Sequence, residues 1–148
     1  QENEIGAFLR QEGHEFGATT GRPRRCGWLD LPQLKYSVML NGVTQLIITK
    51  IDVLNKLQDI QAATHYQIAG MEGTALPYDL CDADIKPVYK TFAGWQGSLE
   101  HITDFEELPT AAKSFLEYLE VYLGIPVTMV STGPERNQLI LKDVKEVV

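Results

Sequence analysis

Two short, largely apolar runs constrain this chain most. Residues 44–48 (TQLII) and 127–130 (VTMV) are rich in β-branched side chains and bounded by polar or turn-forming positions. Runs of that length and composition read as buried strands. Each ends in a loop of polar and Gly residues. Open α/β sheets bind ligands just beyond the carboxyl ends of their strands. The loops after both runs are therefore candidate site walls on geometry alone.

The residues between the runs set the fold class. Asp30 can cap a helix whose first turn holds Pro32, with Leu34, Val38 and Met39 at helical spacing and Gly42 as its stop. A second helix is predicted over 109–123. Its apolar stripe is Ala112, Phe115, Leu116, Leu119, Tyr122 and Leu123; Gly124 fits the C′ position and Pro126 blocks continuation. Ile60, Ala62, Thr64, Tyr66 and Ile68 alternate at period 2 and predict a strand over 60–68. Residues 70–73 read as a turn, 74–78 as a returning hairpin partner, and 88–92 and 139–141 as further strands. A short helix capped by Asp52 is expected over 53–57. Asp82, Asp84, Glu106 and Glu107 read as turn or helix-start positions, and the tail is charged. Residues 1–16 read as a loose lead-in around Ile5, Phe8 and Leu9. Three glycines and one proline within 17–27 rule out a regular element there. The order α, β, α, β, β, β, α, β, β is α/β with an antiparallel appendage.

Charge and composition exclude several function classes. The 148 residues, enough for one domain or a piece of one, hold 13 Lys+Arg against 20 Asp+Glu, a net charge of −7. With a pI near 4.9, a whole-surface nucleic-acid binder is not expected, because phosphate binding draws on cationic charge. No apolar run approaches the roughly 20 residues of a membrane helix, and the polar start has no signal-peptide character. The chain begins at Gln1, without an initiator Met, as a piece of something longer or a trimmed chain would. Cys26 and Cys81 form no disulfide framework or metal spacing and suit a reducing cytoplasm as well as any other compartment. His14, His65 and His101 are dispersed, so no metal site is expected. No glycine-rich phosphate loop is present.

Three constellations could carry chemistry. In GATTGRPRR, Arg22, Arg24 and Arg25 place three guanidinium groups on one loop of an acidic chain. Such forks match carboxylate and phosphate oxygens, and the Thr hydroxyls and backbone N–H groups add donors. The plainer reading is a solvated loop pairing with surface carboxylates. In TKID, Asp52 at the end of a buried strand can accept both N–H groups on one edge of guanine, a pair adenine lacks. The Lys50 stem can lie against the base. The plainer reading is that Asp52 caps the next helix. In STGPER, Gly133-Pro134 fixes a turn whose backbone groups can hydrogen-bond a base, with Arg136 placed to close over it; by itself it is only a turn.

Taken together and in order, GATTGRPRRCGWLD, LIITKIDVLNKL, VYKTFAGW and VTMVSTGPER resemble adenylosuccinate synthetase, C-terminal part only, over roughly residues 16–141. The resemblance implies the C-terminal portion of a P-loop-NTPase-like mixed sheet with flanking helices and an antiparallel hairpin appendage. It implies a GTP-dependent ligase of AMP biosynthesis that joins IMP to L-aspartate through a 6-phosphoryl-IMP intermediate, with Mg²⁺ on the nucleotide phosphates, working as a cytoplasmic homodimer. Carried over by position, Ala18, Thr19, Thr20, Gly21, Arg22, Pro23 and Arg24 would form the loop that closes on aspartate. Arg22 would also touch IMP, and Arg24 the GTP ribose. Lys50, Ile51 and Asp52 would hold the guanine, flanked by Ser131, Thr132 and Gly133. Pro23 stands where some members place another arginine and should stiffen the loop. The family's catalytic Asp and His, its phosphate loop and its Mg²⁺ contact belong to an N-terminal part whose motifs are absent from residues 1–148. No catalytic residue is therefore expected in this chain. The alternatives are a stand-alone purine-nucleotide-binding module without catalysis, and a generic α/β interaction domain.

Overall fold

The computed structural model describes residues 3–78 and 83–142. Cys81, Asp82 and the charged tail lie outside the described residues.

The best-patterned element is the best buried. Helix α3, Thr110–Leu123, buries Ala112, Phe115, Leu116, Leu119 and Leu123, and Gly124 closes it in a left-handed conformation. Its stripe joins one core with Ile60 and Ala62 on one side and Val127, Val130 and Ile140 on the other. Those two groups belong to two sheets. The first contains β1 (Leu29–Asp30), β3 (Asp59–Ile68), β4 (Met71–Gly73) and β5 (Ile85–Ala93). The second has the order β2-β6-β7, from Leu46–Ile48, Val127–Ser131 and Leu139–Leu141. Both are mixed: β1 runs parallel to β3 and β2 parallel to β6, while the remaining pairs are antiparallel. α/β with an antiparallel appendage is therefore the architecture found.

Helix α2, Leu31–Asn41, begins where expected. Asp30 is its N-cap and accepts from the Gln33 N–H, and Gly42 ends it in the left-handed region. The same Asp30 Oδ1 also accepts a hydrogen bond from the Tyr66 hydroxyl of β3, at 2.6 Å. The helix start is thus pinned to the sheet. Burial and the neighbouring Asp30 carboxylate push the Tyr66 hydroxyl well above the usual tyrosine range. The outer face of α2 is less covered than its pattern predicts: Met39 is 66% exposed and Leu40 63%.

Several expectations need correction. Residues 1–16 are not a loose lead-in. Glu4–Glu12 form helix α1, capped by the Asn3 side chain accepting from the Gly6 N–H, with Leu9 buried. Ile5, Phe8 and Leu9 are spaced for one helix face, and Asn3 is an N-cap residue. The strand over 44–48 is shorter and only half-buried. Among the described residues β2 pairs only with β6, and Ile47 is 53% exposed. No helix capped by Asp52 forms over 53–57; a 3₁₀ turn spans Ile51–Leu54. The hairpin after β3 turns at Ala69-Gly70, both with positive φ, and its return strand is β4, not 74–78. Two central residues at positive φ match the twist of a tight hairpin; Ala69 carries no sequence signal for that. β3 also bulges between Ala63 and His65 in its pairing with β5. No helix among the described residues is long and apolar enough to cross a membrane.

The double role of Asp30 can be measured. Asp30→Ala should cost about 2–3 kcal/mol, from a lost cap and a buried Tyr66 hydroxyl without its acceptor. Tyr66→Phe should cost only about 1 kcal/mol. Urea unfolding of both variants checks this; equal costs would mean that the cap contributes nothing.

Candidate functional site

Parallel pairing sets the site. Ile48 of β2 lies opposite Val130 of β6, so the segments starting at Thr49 and Ser131 leave adjacent strands at the same, carboxyl, end. The 3₁₀ turn after β2 packs back onto β6. Lys50 enters that turn with φ 59°, the left-handed region. Ile51 is buried, 2% exposed, and anchors the turn to the core. Asp52 then lies inside the turn; the N-cap position belongs to Lys50, and no side chain caps the turn. The capping explanation for Asp52 therefore fails. Its Oδ1 is buried and has no hydrogen-bond partner among the described residues.

The second loop is pre-shaped by its own hydrogen bonds. Thr132 is fully buried. Its N–H donates to the Gln138 carbonyl at 2.8 Å and its hydroxyl to the same oxygen at 3.3 Å. Ser131 Oγ donates to the Gly133 carbonyl at 2.8 Å. A Cβ on Gly133 would collide with the Gln138 side-chain amide, which in turn accepts from the Glu135 N–H. Pro134 to Asn137 form the exposed rim, and Arg136 opens a short 3₁₀ turn there.

The arginine loop is irregular, as expected, yet internally tied. Residues 18–25 are exposed. The Gly17 N–H donates to the Arg22 carbonyl and the Gly21 N–H to the Gly17 carbonyl, both at 2.8 Å. An isolated antiparallel bridge joins Phe16 to Pro23. The loop faces α1 across an open cleft of about 920 Å³, lined by Arg10, Thr20, Arg22, Arg24 and Arg25 among others. Arg10 thus brings a fourth guanidinium to the three read from the sequence. Its Nε donates to the Arg24 carbonyl at 2.6 Å.

Glu15 connects this loop to Lys50. Arg24 Nη1 donates to Glu15 Oε2 at 2.9 Å, and Lys50 Nζ donates to Glu15 Oε1. Lys50 Nζ also donates to the Gly13 carbonyl at 2.7 Å, and the Arg24 N–H to the Glu15 carbonyl at 3.0 Å. The Lys50 hydrogen bond first, and the Arg24 one second, hold the Glu15 carboxyl below its ordinary value. Glu15 and Arg10 were invisible as functional positions in the sequence. One is an isolated acid and the other lies in a helix that the apolar pattern left unread. A second, largely apolar cleft of about 580 Å³ touches Glu15, Arg24 and Lys50 and runs between Trp28-Leu29 and Ile47-Ile48.

The structure therefore brings Lys50 and Arg24 together on one carboxylate and sets 49–52 beside 131–133. Arg22 and Arg25 line the arginine cleft without an ion pair to a described carboxylate.

Comparison with known proteins supplies the context. The family model described as adenylosuccinate synthetase matches residues 1–140. The chain is 48% identical over 140 residues to the adenylosuccinate synthetase of Cytophaga hutchinsonii, covering 94% of this chain and 32% of that protein. It is 47% identical over 145 residues to the Candida tropicalis enzyme, covering 97% and 34%. A solved structure of fully ligated adenylosuccinate synthetase from Plasmodium falciparum superposes with a TM-score of 0.90 at 36% identity, covering 97% of this chain and 35% of that one. The chain thus spans about a third of the length of the curated relatives it matches.

The Glu15 pairs carry a pH signature. A carboxyl held below its unfolded value contributes stability above that value and loses it as pH falls through the folded one. The stability difference between wild type and Glu15→Gln, from urea unfolding, should be present at neutral pH and shrink below about pH 4. A difference that persists unchanged into acid would contradict this origin.

Proposed function

The chain belongs to the adenylosuccinate synthetase family, and on that premise we propose that it supplies the guanine pocket and the aspartate clamp of a GTP-dependent ligase joining IMP to L-aspartate. The observation that carries this reading is the orphaned Asp52 oxygen. A buried acceptor left unpaired costs about 1–3 kcal/mol, and buried polar groups almost always find a partner. A guanine base brings two adjacent donors, N1–H and the exocyclic amine, to a single carboxylate. Adenine brings no such pair. The Lys50 stem offers a flat apolar surface to the base, and the 131–133 loop leaves the neighbouring strand at the same end.

The arginine cleft completes the reading. Arg22 and Arg24, with the N–H groups and hydroxyls of 18–21, form a clamp for the aspartate carboxylates. Arg24 is the residue that reaches toward the nucleotide, since it shares Glu15 with Lys50. Binding the amine donor close to the nucleotide turns an encounter between separate molecules into a positioned one.

The acid and base of the reaction lie outside this region on the same reading. No group of three or more His, Cys, Asp or Glu among the described residues fits a metal ion. The family resemblance puts the Mg²⁺ that would neutralise charge on the GTP phosphates outside this region as well. The working unit is then a longer protein, a cytoplasmic homodimer by family resemblance. The edge position of β2 among the described strands, the exposed Ile47 and the apolar cleft beside it favour that over a stand-alone nucleotide-binding module.

Calorimetry tests the reading on this region alone. GTP and GDP should bind in preference to ATP, and Asp52→Asn should erase the preference. No adenylosuccinate should form from IMP, aspartate and GTP. Equal affinity of the unmodified chain for GTP and ATP would refute the pocket, and turnover would refute the division of labour.

A further inference from the structure

Glu15 is the residue on which the two proposed binding regions meet. Both oxygens of its carboxylate are occupied by cations from different loops: Oε2 by Arg24 at 2.9 Å and Oε1 by Lys50. The local backbone is built for this contact. His14, just before it, has φ 50°, a left-handed conformation. That turn aims the Gly13 carbonyl and the Glu15 carboxylate at the same Lys50 ammonium. Gly13 admits no side chain, because a Cβ would stand 2.9 Å from the Leu9 carbonyl oxygen. Lys50 is itself left-handed, at φ 59°. Non-glycine residues keep such backbone only where their surroundings over-determine it. Two acceptors on Nζ, with the buried Ile51 next in the chain, do so here.

We propose that Glu15 is a positioning residue that couples the guanine pocket to the aspartate clamp. By holding Nζ, it fixes the Lys50 stem in the attitude that a base can lie against. By holding Nη1, it fixes the Arg24 guanidinium at the border between the two ligands. Ordering one loop thereby lowers the entropic cost of ordering the other. Such coupling is reciprocal, so each ligand tightens the other by the same factor. The proposal rests on the assignment of Lys50 and Asp52 to guanine. Glu15 touches no reacting atom and acts only through the two cations.

The size of the effect follows from exposure. The Lys50 and Arg24 side chains are 53% and 61% exposed, and pairs of that kind are worth little each. In the full-length protein carrying this region, Glu15→Gln should raise KM for GTP and KM for aspartate by about threefold to fivefold each, with kcat little changed. A glutamine has one acceptor and one donor at its tip and can serve only one of the two cations. In a Lys50→Met background the same substitution should move KM for GTP less than it does in the unmodified protein, because only the path through Arg24 remains, while its effect on aspartate persists in full. A merely structural role would shift the melting temperature without that selective reduction. Asp52→Asn, assayed alongside, separates the two claims. If it erases the preference for GTP over ATP while Glu15→Gln moves neither KM, or only one, the pocket stands and the coupling is refuted. If Asp52→Asn leaves the preference intact, the pocket assignment falls and the coupling falls with it.

Discussion

The parallel pairing of β2 with β6 is the constraint on which the site depends. It places two loops, far apart in sequence, at one end of adjacent strands. The pairing is secured from the β6 side. Val127 and Val130 are fully buried against α3. Glu120 of that helix accepts from the Val127 N–H at 2.7 Å and from Lys142 after β7 at 2.7 Å. Among the described residues β2 is an edge strand, anchored at its end by the buried Ile51 and the turn that follows. The strand that carries the TKID loop is thus the less protected of the pair.

The charges around the loops do a different job from the core. Hydrophobic burial by α3 dominates stability, whereas half-exposed ion pairs such as those of Glu15 add little to it. Their value is geometric. They hold Lys50 in a left-handed turn and keep Arg24 near it, at positions where free side chains would sample many rotamers. An acidic chain can therefore still present a cationic clamp, because the arginines are concentrated on one loop and one adjoining helix.

The legible parts of the sequence were those where one pattern decided. The stripe from Ala112 to Leu123, the Asp30 cap and the Gly124 stop all point the same way, and α2 and α3 follow. β1 is too short to carry a period, at two residues. The signal for α1 is weak: Asn3, Ile5, Phe8 and Leu9 have helix spacing, but the span is short and its face only partly apolar. The hairpin turn has no sequence signal, because Ala69 adopts a positive φ that alanine rarely takes. The loop residues could be named from their chemistry at strand ends. What sequence could not show is that Arg24 and Lys50 share Glu15, or that Asp52 caps nothing, because both are properties of tertiary placement.

The central claim is that Asp52 reads the donor edge of guanine, and exchanging the base together with the side chain tests it most directly. Xanthine keeps the N1–H donor but carries an oxygen where guanine has its amine. An Asn at position 52 offers one acceptor and one donor and so matches xanthine. In the full-length protein, Asp52→Asn should reverse the preference, with XTP favoured over GTP in KM while the unmodified protein favours GTP. If the variant loses GTP and gains nothing for XTP, or keeps GTP as its better substrate, Asp52 does not read the base.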